Sequence, residues 1–178
     1  MRRVLLLTSL VLALAVLAAP ATASAACPWA NSRPSTLTHN QVVYATICLI
    51  NSERTRRGLR ALSENPRLDF AATGHAVDMV RRHYFSHTSP EGTTFVDRIR
   101  ASGYLSGARW WTVGENIAWG AGTSATPSAI FNAWMNSPGH RANILSRSFR
   151  DTGIGVALGS PTGYRDAATY VNTFGARS

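Results

Sequence analysis

Apolar side chains recur at helical intervals through the first part of the chain and at alternate positions through the last part. Between Thr38 and about Arg57, Val43, Ile47 and Ile50 form one apolar face, and Ala45, Cys48 and Leu49 form another. A helix apolar on two sides is expected to be buried between layers. Thr38 is placed to cap its start and Gly58 to stop it. Asn65-Pro66 reads as an N-cap followed by proline at the first helical position. The second helix then runs from Pro66 to about Arg82, with Leu68, Ala71, Ala72, Ala76, Met79 and Val80 inward. Ser89-Pro90-Glu91-Gly92 signals a turn. Phe95 to Ser102 predicts a short helix with Gly103 as a left-handed cap.

The period then changes. Thr112 to Ala118 predicts a strand, and Gly120 to Ser124 a flexible loop. Thr126-Pro127 opens another helix, which carries Ile130, Phe131 and Trp134 and stops near Ser137-Pro138. Ile154 to Leu158 and Thr169 to Phe174 predict strands, joined by a hairpin loop from Gly159 to Arg165. Helices lie early, strands lie late, and one helix is inserted among the strands. No crossover helix separates the final strands, so the pattern predicts an α+β sandwich around an antiparallel sheet. There is no internal repeat and no linker long enough to divide the chain.

The N-terminus changes how much of the chain counts as fold. Arg2 and Arg3 precede an apolar run from Val4 to Leu17, and Ala23-Ser24-Ala25 is a cleavage signature. Residues 1–25 are expected to be a signal peptide, with cleavage after Ala26 as the close alternative. The run is short for a membrane span, and none occurs later. A lipoprotein anchor on Cys27 is disfavoured, because Ser24 stands where a large aliphatic residue belongs. Export implies an oxidising compartment, so the pair Cys27 and Cys48 is expected to form a disulfide. Residues 26–39, with Pro28 and Pro34, read as an extended segment ahead of a domain at 40–178.

The net charge of +9 comes entirely from arginine. Such a surface favours anionic envelope polymers. The arginines are scattered and no aromatic-basic platform accompanies them, so specific nucleic-acid binding is not expected.

Three segments carry the candidate chemistry: Tyr84 to Pro90 around His87, Gly114 to Ala118 around Glu115, and Trp134 to Leu145 around His140. Two imidazoles and a carboxylate can hold Zn2+ or another divalent cation with an open position for water. They can equally form a metal-free polar cluster, or do acid–base work through a histidine. There is no HExxH and no GxSxG. His75 and His83, eight positions apart on one side of the second helix, read as surface or satisfied structural histidines. Trp134 reads as core, whereas Trp110, Trp111 and Trp119 flank a strand and suit either core or an apolar groove.

In this order and spacing, the three segments resemble the CAP superfamily of cysteine-rich secretory proteins, antigen 5 and pathogenesis-related proteins, and most closely its short bacterial secreted branch. Asn51, Arg54 and Gly153-Ile154-Gly155 add to the resemblance, which runs from about Asn40 to Gly175. It implies a three-layer α-β-α sandwich of CAP/SCP type with a mainly antiparallel central sheet. It also implies a cleft with two histidines and two glutamates, onto which His87, Glu115 and His140 map. His140 lies 13 positions before Gly153, matching the pattern. The fourth position falls on Ser137, so one carboxylate of the set is missing. The resemblance suggests an extracellular, non-enzymatic binding protein for a lipid, sterol or protein ligand. The alternatives are a metal-dependent or acid–base hydrolase, such as a protease, and a cell-wall interaction module.

Overall fold

The computed structural model describes residues 27–178. The signal-peptide reading of residues 1–25 lies outside them. Five α-helices are described: α1 (His39–Arg56), α2 (Pro66–Arg82), α3 (Phe95–Ala101), α4 (Pro127–Asn136) and α5 (Pro138–Ile144). Four strands are described: β1 (Ser63–Glu64), β2 (Trp111–Ala121), β3 (Asp151–Leu158) and β4 (Ala167–Arg177). They form one sheet in the order β1-β3-β4-β2. β4 runs antiparallel to β2 and β3, and only the two-residue β1 pairs parallel, which makes the sheet mixed.

Local chemistry sets the helix starts. Thr38 accepts from the Gln41 amide, and the Gln41 side chain accepts from the Thr38 amide, closing a capping box on α1. Thr94 and Asp97 do the same for α3. Asn65 and Thr126 cap α2 and α4 ahead of Pro66 and Pro127.

The helices cover both faces of the sheet. On one face, α1, α4 and α5 pack Val42, Val43, Leu49, Ile50, Ile130, Trp134 and Ile144 against Ile154, Tyr170 and Phe174. On the other, α2 and α3 pack Leu68, Ala72, Met79 and Ile99 against Ile117, Ala157 and Val171. Each fully buried Leu or Ile contributes about 1.5–3 kcal/mol. Helix α2 lies directly on β3, because Gly153 and Gly155 face its backbone. A Cβ at Gly153 would collide with Leu68 and Asp69, and one at Gly155 with Ala72 and Thr73.

Two expectations change. The stretch from Gly120 to Ser124 is not a flexible loop: β2 continues to Ala121, and Gly122–Ala125 is a 3-10 turn. Gly120 is there because Ser124 and Ala125 press on its Cα, leaving no space for a side chain. Second, His140 lies in the first turn of a helix rather than in a loop. Cys27 and Cys48 form the expected disulfide, with Cα atoms 5.7 Å apart, tying the N-terminal segment to α1.

Candidate functional site

β2 is an edge strand, and its alternation decides what each residue of Gly114-Glu115-Asn116 does. Glu115 projects with Val113 and Ile117 toward α2 and α3. Asn116 projects to the opposite face, toward α5, where its Nδ2 donates to the His140 carbonyl at 3.0 Å. The site therefore wraps around the edge of the sheet, with one segment arriving from each face.

On the first face, Glu115 is buried, with its side chain only 1% exposed. A carboxylate can only accept, so His87 carries its proton on Nδ1 and donates to Oε1 at 2.8 Å. Arg98 on α3 supplies the counter-charge, its Nη2 donating to both carboxylate oxygens at 3.2 and 3.0 Å. The same Nη2 donates to the His87 carbonyl at 2.8 Å, and Nη1 donates to the Thr93 carbonyl at 3.0 Å. Arg98 thus fixes both the carboxylate and the backbone of the residue that the carboxylate orients. The His87 ring stays about half exposed, at 47%, with Nε2 as its remaining hydrogen-bonding atom.

A second histidine supports this loop from behind. His75 is 1% exposed, and its Nε2 bonds the Ser86 carbonyl at 2.9 Å, one residue before His87. Tyr84 lies against the other ring nitrogen and donates to Asp78. Burial pushes the His75 imidazole below the usual histidine range, with Glu115 pulling the other way. The Ser86 Oγ accepts from the Thr88 amide at 3.1 Å, stabilising the turn.

On the second face, Asn143 donates from Nδ2 to Asn116 Oδ1 at 2.8 Å and to the Glu115 carbonyl at 3.2 Å. These bonds satisfy the exposed side of the edge strand and hold α5 against it. His140 is half-buried; burial lowers its pKa, and the neighbouring His87 ring lowers it further. Ser137 closes α4 and opens α5, and its hydroxyl makes no capping bond. The far end of α5 is held by Arg54, 1% exposed, which donates to the carbonyls of Ile144 (2.6 Å), Ser146 (2.9 Å) and Arg60 (2.9 Å). Asn51, one turn earlier, brackets Leu62 through its amide and its carbonyl.

The site offers a metal ion few protein donors. Glu115 is already committed to Arg98 and to the His87 Nδ1 proton, so the donors that remain for a cation are the His87 Nε2 and the His140 ring. Among the described residues, no three His, Cys, Asp or Glu side chains gather to hold a metal ion. Of the other candidates, Trp134 is fully buried, Trp110 and Trp111 are exposed, and Trp119 stacks on Tyr164. Arg98, which completes the site, gives no sequence signal: it sits between two other charges, Asp97 and Arg100, on a short amphipathic helix.

Helices on both faces of a mainly antiparallel sheet, with an oriented His–Glu pair at its edge strand, define a small α-β-α sandwich of secretory-protein type. Residues 48–174 match the model of the cysteine-rich secretory protein (CAP) family, and the chain belongs to that family. It is 38% identical over 107 residues to YkwD of Bacillus subtilis (strain 168), covering 60% of this chain and 39% of that protein. To the membrane protein YlbC of the same organism it is 33% identical over 108 residues, covering 61% and 29%. The chain therefore spans well under two thirds of these curated relatives. An extracellular SCP-domain protein from Bacillus anthracis str. Ames superposes with a TM-score of 0.60 at 32% identity, covering 78% of this chain and 43% of that one. An outer surface protein from Borrelia burgdorferi shares the fold with a TM-score of 0.61 at 23% identity, covering 74% and 90%.

Proposed function

We propose that the protein is an exported, non-enzymatic binding module that engages its ligand at His87, with His140 and Ser137 beside it. The observation that carries this reading is the state of Glu115. It is buried, paired with Arg98 and bonded to His87, so it serves to aim one imidazole outward. A half-exposed ring in a fixed orientation presents one hydrogen-bonding atom to a ligand at little entropic cost. The ligand classes that the family suggests are lipid, sterol or a protein segment. Export is supported by the residues 1–25 pattern, by the disulfide, and by the extracellular description of the Bacillus anthracis relative. Among the described residues no helix is long and apolar enough to cross a membrane.

An acid–base hydrolase is the second reading, because a buried carboxylate orienting an imidazole is also how a catalytic base is positioned. Native mass spectrometry of protein recovered from culture medium, without detergent or chelator, separates the two. The binding reading expects a co-purifying organic ligand in the wild type that is lost in His87→Ala, and a mass that begins near residue 26. Turnover of an ester or peptide that His87→Ala abolishes would overturn it. A mature mass that retains residues 1–25 would overturn export.

A further inference from the structure

We propose that the groove between the C-terminal end of α2 and the β3–β4 turn is a second binding site, made for an anionic saccharide chain. The groove has a volume of about 420 Å³ and is lined by Val80, His83, Leu158, Ser160, Tyr164 and Arg165. It lies on the far side of Trp119, four residues along β2 from Glu115 and about 13 Å away at strand spacing. It is separate from the His87 site. The proposal rests on the extracellular reading only for where such a polymer would be met.

Its floor is aromatic. Tyr164 is 61% exposed, and its ring lies parallel to that of Trp119, with centroids 6.2 Å apart and planes 19° apart. The indole holds the phenol flat and leaves its outer face open. The electron-rich face of an aromatic ring attracts the C–H edge of a pyranose. Leu158, 58% exposed, extends the apolar surface beside it.

Its wall is cationic. That charge is Arg165, which makes no hydrogen bond or ion pair among the described residues. No lining residue is acidic, and the adjacent Asp166 is already engaged by Arg33. An arginine left free beside an exposed tyrosine suits a ring that carries a carboxylate or phosphate.

The groove is also preformed. Ser160 is buried and bonds Tyr164 twice, its Oγ accepting from the Tyr164 amide at 2.9 Å and its amide donating to the Tyr164 carbonyl at 3.0 Å. The His83 ring bonds the Pro161 carbonyl at 3.3 Å, tying the turn to α2. Gly159 and Gly163, at φ 100° and 91°, supply the left-handed conformations that the turn needs. A turn fixed at this many points loses little freedom when it binds. A single exposed ring argues against single-stranded nucleic acid, which is held by a succession of stacking platforms.

The probes are hexagalacturonate, its methyl ester (same rings, no charge), hexaglutamate (same charge, no rings) and the oligonucleotide dT6, titrated calorimetrically at low salt. Wild type should bind hexagalacturonate about tenfold more tightly than any other probe. Tyr164→Ala and Arg165→Gln should each weaken it by about fivefold or more, and Tyr164→Phe should stay within about twofold. Arg109→Gln, which removes the same charge at the other end of β2, should change nothing. Four results overturn the site: no saccharide binding, equal loss in Arg109→Gln and Arg165→Gln, full affinity in Tyr164→Ala, or tighter binding of dT6. None of these bears on His87.

Discussion

Asn143 donates to Asn116 across 2.8 Å, and through that bond α5 is registered on the edge strand one residue away from Glu115. Asn116 in turn donates to the His140 carbonyl, so the two asparagines bracket α5 against the strand from its first turn to its last. Each is a planar amide that can donate from Nδ2 and accept at Oδ1 at the same time.

Replacing Asn143 with Leu leaves Asn116 Oδ1 and the Glu115 carbonyl without donors. Unsatisfied buried groups cost about 1–3 kcal/mol each. Asn143→Leu should therefore lose about 2–4 kcal/mol in urea unfolding, and amide exchange should rise in α5 before it rises in α2. Uniform exchange across both helices would show that the bracket is incidental.

Arg54 holds the C-terminal end of α5 from the side of α1. Its guanidinium serves three carbonyls, one at the end of α5 and two in loops, with a fork geometry that an ammonium cannot reproduce. Arg54→Lys should destabilise by about 2 kcal/mol or more, and Arg54→Met by at least as much. A lysine variant that melts like wild type would mean that charge alone suffices.

Much of the fold was legible because the signals were local and mutually consistent. Thr38, Asn65-Pro66 and Thr126-Pro127 mark three helix starts, and the structure caps those helices there. The strand ends were less legible. β2 outruns its apolar alternation through Trp119-Gly120-Ala121, because its register with β4 continues to Ala167. Long-range pairing, not propensity, sets that end. Helix α5 was missed because Pro138-Gly139 reads as a stop, whereas proline suits the first turn of a new helix. In the site, motif spacing singled out His87 and Glu115, which the structure joins by a hydrogen bond. Arg98 had no signal, since an arginine on a short charged helix looks like solvent-facing surface until the tertiary fold turns it inward. His75 looked like an ordinary structural histidine, and it is one, but what it holds is the loop that carries His87.

Glu115 should dictate the tautomer of His87. With Nδ1 donating to the carboxylate, the neutral ring carries its proton on Nδ1 and leaves Nε2 bare. Long-range 1H–15N spectra at neutral pH should show that single tautomer in the wild type. In Glu115→Ala the constraint is gone and the spectrum should report a mixture. Removing the carboxylate also leaves the mostly buried Arg98 without its counter-charge, so about 3 kcal/mol of stability should go with it. If Glu115→Ala keeps both stability and tautomer, the pair does not organise the site.

Two titrating groups, one buried and one partly buried, should pull stability in opposite directions as pH changes. Burial holds His75 below the histidine range, so the folded state binds fewer protons than the unfolded state. Its contribution is fully present above about 6.5 and is lost as pH falls below that value. Asp69 has the opposite sign. Burial, helped by Glu64 and opposed by the Ile154 amide, raises its pKa from 3.8 to about 6. The folded state therefore binds more protons between those values, and stability is lost as pH rises through about 6. Full conversion of that shift would be about 3 kcal/mol, and solvent screening of a half-exposed group reduces it to about 1 kcal/mol. Asp69→Asn keeps an oxygen to accept the Ile154 amide, a 2.8 Å bond in the wild type, but carries no charge. It should match wild type at about pH 4 and exceed it by about 1 kcal/mol at pH 7.5, because only the wild type deprotonates between them. His75→Gln should be less stable at pH 7.5 but lose less on acidification. Urea unfolding at pH 4, 5.5 and 7.5 on the three proteins resolves both slopes. Parallel curves for Asp69→Asn and wild type would show that Asp69 ionises freely in the folded state.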